Sequence, residues 1–485
     1  MQHWLRGSAG AGRDCQCRRA RQASEFDRKA FEIPHTELVL DNGLTVLAHE
    51  DHAVPVVAVN LRYHVGSRNE EPGKTGSAHL FEHFFFNGSE HYPFGFREAM
   101  DDLGANNRTG VTSADRTAFL EDVPVSALQR TLFLETDRMG FLAARIDQPM
   151  LERERAVVQN EKRQGENQPY GRVLQRIVER IYPANHPYSW SVIGSTEDLN
   201  AATLQDVQRW YSTYYGPNNC VLALAGDITA EQAFTLVKQY FGDIPPGPPL
   251  TRAVAWVPRL SDNIREQMQD RVPQVRIYRV LHAPAWRDAD TQPLELLASV
   301  LSGSRSARLD RRLIYEEKLA TAVEANLLSY EIAGMLLVTV TVKDGVDPAR
   351  AEALMDRVLA EAWQKPPTGA ELQLAKSRLL AEFSRGAERL GGFNGRAEIL
   401  AQSMTLDGGS DGYLRRLQLY ADITAAGVRE AASRWLQAPH YTLLVTPYPA
   451  LKPDATVVDR TVVPSLDEPP EVAFPWYSGP SYRTA

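Results

Sequence analysis

The stretch SAHLFEHFFF at residues 77–86 places two histidines and a glutamate among aromatic and aliphatic residues. At about 100° per residue of helix, His79, Glu82 and His83 fall within one arc roughly 100° wide. Nearly every other position is apolar, and this predicts a buried helix. The three polar groups on one side of that helix require partners, because burying them without partners costs free energy.

A divalent metal ion is one such partner. Two neutral imidazoles one helical turn apart can both bind a tetrahedral zinc ion, and this leaves the Glu82 carboxylate free to act on a water molecule at the ion. The spacing His79-x-x-Glu82-His83 is the inverted zinc-peptidase motif. The alternative is a pair of core histidines that are hydrogen-bonded to the backbone or to Glu82. A third ligand from another element would decide between the two.

Residues 149–161, PMLERERAVVQNE, predict a second helix that offers this ligand. The core-facing row of such a helix follows the spacing i, i+3, i+4 and i+7, and here it contains Glu154, Val157, Val158 and Glu161. Carboxylates at both ends of a buried row must be paired or bound to metal. The alternative is a helix that turns a charged edge to solvent.

The two motifs together resemble the pitrilysin/insulinase family of zinc peptidases, and in particular its short-chain branch with the mitochondrial processing peptidase and bacterial relatives. The resemblance covers most of residues 32–450. It implies one Zn²⁺ per chain, bound by His79, His83 and Glu161. It also implies that Glu82 is the catalytic general base and that Glu154 supports catalysis from outside the ligand set.

The resemblance further implies an edge strand that pairs with an extended peptide substrate. The residues expected there are Thr109, Gly110, Val111, Thr112 and Phe119. An unpaired strand edge offers backbone N–H and C=O groups to a peptide of almost any sequence. The alternative is an ordinary strand inside the sheet. The chain departs from the family at Thr109, where relatives usually carry Asn.

Proline and glycine at residues 245–249, PPGPP, mark the clearest boundary in the chain. The resemblance implies an α+β fold with two homologous αβ-roll domains, each an antiparallel sheet with flanking helices. The predicted parts are a disordered leader (1–31), a zinc-binding catalytic domain (32–244), a linker (245–266), a degenerate second domain (267–450) and a proline-rich C-terminal arm (451–485). The motif does not recur in the second domain, so we expect chemistry only in the first.

Active relatives carry an Arg and a Tyr, in their second half or in a partner chain, that hold the substrate carbonyl. In this chain Ile314 and Thr321 occupy those positions, and the candidates to replace them are Arg311, Arg312, Tyr315 and Tyr330. The resemblance therefore implies a heterodimer with a zinc-free sister subunit that supplies the pair, or else a homodimer. Two other interpretations stay open: a zinc-bearing scaffold that binds peptides without turnover, and a His/Glu core without metal.

Composition narrows the function classes. The net charge of −8 does not indicate the basic surface that binds nucleic acid. No apolar run approaches the roughly 18 residues that a membrane-spanning helix needs. The three cysteines, Cys15, Cys17 and Cys220, argue against a disulfide framework. Bacterial members of the family are commonly periplasmic, yet the Arg-rich residues 1–24 contain no export signal. We therefore expect a peptidase subunit whose compartment the sequence leaves open.

Overall fold

A computed structural model describes residues 26–449 of the chain as a mixed α+β fold with two sheets flanked by helices. The first half, residues 26–244, contains strands β1 (Thr36–Val39), β2 (Thr45–Glu50), β3 (Val56–Tyr63), β4 (Asn106–Thr112), β5 (Thr117–Pro124) and β6 (Cys220–Gly226). Its helices are α1 (Ser77–Phe84), α2 (Phe96–Asp102), α3 (Leu128–Phe141), α4 (Gln148–Asn167), α5 (Val173–Ile181), α6 (Thr196–Ala201), α7 (Leu204–Tyr214) and α8 (Ala230–Phe241).

The second half, residues 264–447, contains the other sheet. Its strands are β7 (Ile264–Asp270), β8 (Arg276–Ala283), β9 (Ala320–Ser329), β10 (Gly334–Val342) and β11 (Tyr441–Pro447). Its helices are α9 (Thr291–Leu301), α10 (Pro348–Gln364), α11 (Gly369–Ala387), α12 (Arg396–Gln402), α13 (Gly412–Asp422) and α14 (Ala425–Trp435). Residues 245–263 join the halves without helix or strand. The predicted domain boundaries on either side of them stay a prediction.

The two sheets repeat one topology. Their strand orders are β1-β2-β6-β3-β5-β4 and β7-β11-β8-β10-β9, so strands β2 to β6 correspond in chain order to β7 to β11. The sequence predicted antiparallel sheets, but each sheet contains one parallel pair. Strand β2 pairs in parallel with β6, and β7 pairs in parallel with β11. Parallel neighbours need a long crossover connection, and the helices between the first and last strands of each half provide it. The repeated order confirms two copies of one α+β architecture.

Alternation along the strands explains how the first sheet is buried on both faces. Val57, Val59 and Leu61 of β3 face the helices of the first half, whereas Ala58 belongs to a core shared with the second half. Successive side chains of a strand point to opposite faces. The second half therefore covers the face of the first sheet that lies opposite α1.

The start of the described chain also belongs to this fold. Residues 28–31 form a short 3-10 turn, and Phe26 and Phe31 pack against the core of the second half. The predicted leader therefore extends too far, because apolar contacts hold residues 26–31. The remaining leader residues and the C-terminal arm lie outside the described residues. Within residues 26–449, no helix has the length and apolar character that crossing a membrane requires.

A buried carboxylate joins the two halves. Glu398 of α12 accepts hydrogen bonds from Asn60 Nδ2 at 2.7 Å and Arg62 Nη1 at 2.9 Å, and it also pairs with Arg116. The Arg62 and Glu398 side chains are 2% and 3% exposed. A charge left without its partner at such depth is strongly unfavourable. None of these contacts was predicted, because they join residues more than 280 positions apart.

We expect Glu398→Gln to lower the free energy of unfolding by about 3–5 kcal/mol, because it leaves buried Arg62 without a carboxylate. Urea unfolding followed by circular dichroism measures this change. Glu388→Gln is the control, since Glu388 is exposed at the end of α11. Equal midpoints for the two variants would contradict the role of Glu398.

Candidate metal centre

Helix α1 presents its histidines on one half-buried face. Ala78, Leu80, Phe81 and Phe84 are buried on the remaining faces, as the sequence pattern predicts. The rings of His79 and His83 lie 4.9 Å apart and nearly perpendicular. Burial, followed by the positive charge of His83, lowers the pKa of His79 to about 4. The His79 imidazole is therefore neutral at neutral pH, the form that binds a metal ion.

Helix α4 brings Glu161 to the histidine pair. Glu161 Oε2 lies 3.8 Å from His79 Nε2 and 3.3 Å from His83 Nε2. In tetrahedral zinc sites with bonds of about 2.0–2.2 Å, ligand atoms lie roughly 3.4 Å apart. Among residues 26–449, these three form the one group of three His, Cys, Asp or Glu side chains whose donor atoms lie within 4.8 Å of one another. The donor set and its spacing fit a zinc ion.

Glu154 lies on the other side of His83. It is 7% exposed, and its Oε2 is 3.8 Å from His83 Nδ1, the nitrogen that faces away from Glu161. A carboxylate at the second nitrogen of a metal-binding histidine fixes the orientation of the ring. Val157 and Glu161 are more open than the predicted core-facing row implies, because they line a cavity instead of packing against the core.

Glu82 lies between the histidines and the edge of the sheet. Its Oε2 accepts a hydrogen bond of 2.7 Å from Thr112 Oγ1, and the Thr112 backbone also donates to this carboxylate. Burial raises the pKa of Glu82, and the hydrogen bonds from Thr112 oppose this shift. The carboxylate faces the same cavity as His79, His83 and Glu161 and is itself outside the group of three donors.

The predicted substrate strand is β4, and it forms one edge of the first sheet. Thr109, Gly110, Val111 and Thr112 are half-buried on this strand, with Thr112 in contact with Glu82. Phe119 does not belong with them. It lies on β5, is 1% exposed and stacks on Phe85 with ring centres 4.5 Å apart. The prediction that Phe119 contacts substrate is wrong, because its side chain points into the core.

Gly110 is the close neighbour of the Glu82 carboxylate. A Cβ atom at residue 110 would lie 2.7 Å from Glu82 Oε1 and 2.9 Å from Phe86 Cε2. We therefore expect Gly110→Ala to displace the carboxylate and slow peptide hydrolysis by about tenfold to 100-fold, the range for a misplaced catalytic group. Zinc content should not change. Gly369→Ala at the start of α11 is the control, because nothing lies within 4 Å of the added Cβ. Equal turnover by the two variants would refute this contact.

The structure adds residues that the sequence reasoning missed. The cavity at the site measures about 370 Å³, and its wall also contains Phe86, Asn87 and Arg97. Phe86 follows His83 by three positions, so helical spacing could have identified it. At the other end of α1, the buried Glu70 carboxylate accepts the Ala78 N–H at 2.9 Å. No local pattern identifies Glu70 or Arg97.

The candidates to replace the missing Arg and Tyr lie in different surroundings. Arg311 and Arg312 form ion pairs with Glu316, and Tyr315 is exposed beneath Arg305. Tyr330 lines a second cavity together with Thr112 and Glu161. Of these four residues, only Tyr330 lies in a cavity that reaches the metal centre.

Comparison with known proteins identifies the family of the chain. Residues 45–195 match the family model described as Insulinase (Peptidase family M16), and residues 201–379 match the one described as Peptidase M16 inactive domain. The chain belongs to the insulinase family of peptidases, M16. This membership confirms the resemblance identified from the two motifs.

Named members of the M16 family are similar over most of the chain. The zinc protease PqqE of Helicobacter pylori is 28% identical over 366 residues, 73% of this chain and 80% of that protein. The human mitochondrial-processing peptidase subunit beta is 25% identical over 331 residues, 65% of this chain and 64% of that protein. The chain thus spans slightly less than two thirds of its mitochondrial relative.

Solved structures show the same fold. A protease from Helicobacter pylori superposes with a TM-score of 0.79 at 23% identity, covering 86% of this chain and all of that one. The periplasmic protease PqqL from Escherichia coli gives a TM-score of 0.70 at 20% identity, covering 86% of this chain and 48% of that one. The M16 architecture therefore extends across both halves of the chain.

Proposed function

We propose that the chain is a zinc-dependent endopeptidase that hydrolyses peptides or unfolded segments. The observation that carries the proposal is the convergence of His79 Nε2, His83 Nε2 and Glu161 Oε2, with the Glu82 carboxylate facing the same cavity. The names of its M16 relatives, among them a zinc protease and a processing peptidase, support this chemistry. One zinc ion per chain, held by those three residues, is part of the proposal.

Each residue of the site has a separate task in hydrolysis. Bound zinc supplies Lewis acidity, which polarises the substrate carbonyl and lowers the pKa of water. Glu82 takes a proton from the attacking water and returns it to the leaving amine. Thr112 holds the Glu82 carboxylate through its hydroxyl and its backbone. Glu154 keeps the His83 ring in position.

The free edge of β4 holds the substrate as an added strand. Backbone hydrogen bonds along Thr109, Gly110, Val111 and Thr112 make no demand on the side chains of the peptide. Because Thr112 also contacts Glu82, a peptide on this edge runs past the general base. An extended backbone is required for such pairing, so peptides and unfolded segments are the expected substrates.

We propose further that full activity requires a second subunit that contributes an Arg and a Tyr. The observations that support this are Ile314 and Thr321 at the family positions and the pairing of Arg311 and Arg312 with Glu316. Each missing donor to a developing oxyanion costs about 10²–10³-fold in turnover. If no partner restores them, the chain is a zinc-bearing peptide-binding subunit.

The name of the Escherichia coli relative supports a periplasmic location.

Metal analysis and peptide hydrolysis by the purified chain test the proposal. We expect one zinc per chain and cleavage of an unfolded, fluorescently labelled casein, with turnover rising when a zinc-free sister chain from a neighbouring gene is added. Zinc without cleavage in either preparation would favour the peptide-binding subunit. A chain that binds no zinc would refute both functions.

A further inference from the structure

A cavity of about 390 Å³ adjoins the metal centre: its wall contains Glu161 and also Thr112, which donates a hydrogen bond to Glu82. Most of its wall is apolar or aromatic. From the first half it contains Leu174, Val178, Tyr182, Tyr188, Trp190 and Ile193, and from the second half Tyr330 and Met335. The half that matches the inactive-domain model therefore forms part of a pocket beside the chemistry.

Three of the larger rings in this wall keep their polar atoms away from the cavity space: those of Tyr188 and Trp190 are hydrogen-bonded elsewhere, and the Tyr182 hydroxyl is buried. Tyr188 donates its hydroxyl to Asp115 at 2.5 Å, and Trp190 donates Nε1 to the Ser67 carbonyl at 3.0 Å. The charge of Lys162 is also neutralised, because its Nζ lies 2.9 Å from Glu166. Apart from polar residues such as Glu161, Glu166 and Gln175, the wall offers ring faces and aliphatic groups, which do not compensate a charged side chain for its lost hydration.

The position of the cavity fixes which part of a substrate would enter it. Strand β4 reaches the Glu82 carboxylate at Gly110 and Thr112, and the chain then continues along the cavity through Ser113 and Ala114. A peptide paired antiparallel to β4 runs in the opposite direction. Its residues beside Ser113 and Ala114 therefore precede those beside Gly110. Antiparallel pairing is the more stable arrangement per residue and is the one that β4 makes with β5.

We propose that this cavity is a specificity pocket for one bulky apolar side chain, aromatic or long aliphatic, on the amino-terminal side of the scissile bond, with Tyr330 and Met335 of the second half as part of its wall. This inference rests on the proposed peptidase function. It assigns the second half a direct part in choosing the substrate. The volume of about 390 Å³ admits an aromatic ring, and burying a large apolar side chain strengthens binding by tenfold or more on the usual scale.

Binding to a variant without hydrolysis tests the pocket separately from the chemistry. Two fluorescent ten-residue peptides that differ only in a central Phe or Ala are titrated into the full chain carrying Glu82→Gln. We expect the Phe peptide to bind at least about tenfold more tightly. The added substitutions Leu174→Asp and Tyr330→Ala should each reduce this preference to less than about threefold. Equal binding of the two peptides to Glu82→Gln alone would overturn the proposal.

Leu419→Asp is the matched control for Leu174→Asp. The two leucines are 49% and 51% exposed, and Leu419 lies on α13, outside this cavity. The control should keep the preference for Phe, and loss of preference in both variants would contradict the pocket. Melting curves confirm that each variant is folded. Cleavage of a mixed peptide library by the unmodified chain then locates the preferred position. Enrichment of apolar residues only after the cleaved bond would overturn the assigned direction.

Discussion

Glu82→Gln is expected to slow peptide hydrolysis by about 10²–10⁴-fold, the usual contribution of a general acid–base group. The amide has nearly the shape of the carboxylate and can still accept the hydrogen bond from Thr112, but it cannot take a proton from water. Zinc content should stay at one per chain, since Glu82 is not among the three converging donors. Initial rates with a fluorogenic peptide and metal analysis of the same sample measure both properties.

The control for this variant is Glu90→Gln. Glu90 is exposed and lies shortly after α1, so its substitution removes one negative charge near the site without touching the cavity. Glu90→Gln should retain normal turnover. If Glu82→Gln cleaved peptides at the unmodified rate, another group would have to be the base, and the proposed roles of α1 would be wrong.

Glu161→Gln should lose zinc, whereas Glu82→Gln should keep it. The variant loses a charged ligand and keeps only a weakly binding amide oxygen, so we expect zinc affinity to fall by more than about 100-fold, beyond the usual loss for a supporting residue. Hydrolysis should disappear together with the metal. The Glu161 side chain is 45% exposed, so the melting temperature of the metal-free protein should hardly change. Competition with a chromogenic chelator measures the zinc affinity.

Glu152→Gln on the same helix is the matched control for Glu161→Gln. Glu152 is exposed and bonds to Arg155 and Gln148, outside the metal centre. Normal zinc affinity in Glu161→Gln would refute the assignment of Glu161 as the third ligand. If Glu82→Gln keeps zinc without activity and Glu161→Gln loses zinc, the two variants together identify Glu82 as the base and Glu161 as a ligand.

Local spacing predicted the parts of the site that lie on single helices. His79, Glu82 and His83 share one face because three- and four-residue steps follow the turn of a helix, and their apolar neighbours are buried as expected. The sequence Asp41-Asn42-Gly43 is another local signal, because Asn-Gly is typical of a hairpin turn. It connects β1 and β2, and Gly43 has a φ of 88°. In such cases the deciding contacts lie within a few residues.

Predictions that depend on distant partners were less complete. The pattern around Phe119 fits either an edge strand or a core strand, and only its stacking on Phe85 decides between them. The parallel pairing of β2 with β6 joins residues 176 positions apart, beyond any local signal. The sequence around Glu398 does not distinguish it from an exposed helical glutamate, because its buried partner Arg62 is distant in the chain. Single-sequence patterns do not encode which surfaces meet.

The strand orders of the two sheets have a consequence for biosynthesis. Strands β6 and β11 lie inside their sheets, yet each is the last strand of its half to emerge from the ribosome. Neither half can close its hydrogen-bond ladder until residues 220–226 or 441–447 have been translated. Pairing over such distances slows folding and leaves unpaired strand edges exposed on the nascent chain. A truncation before residue 441 would remove an interior strand, separate β7 from β8 and leave a polypeptide prone to aggregation.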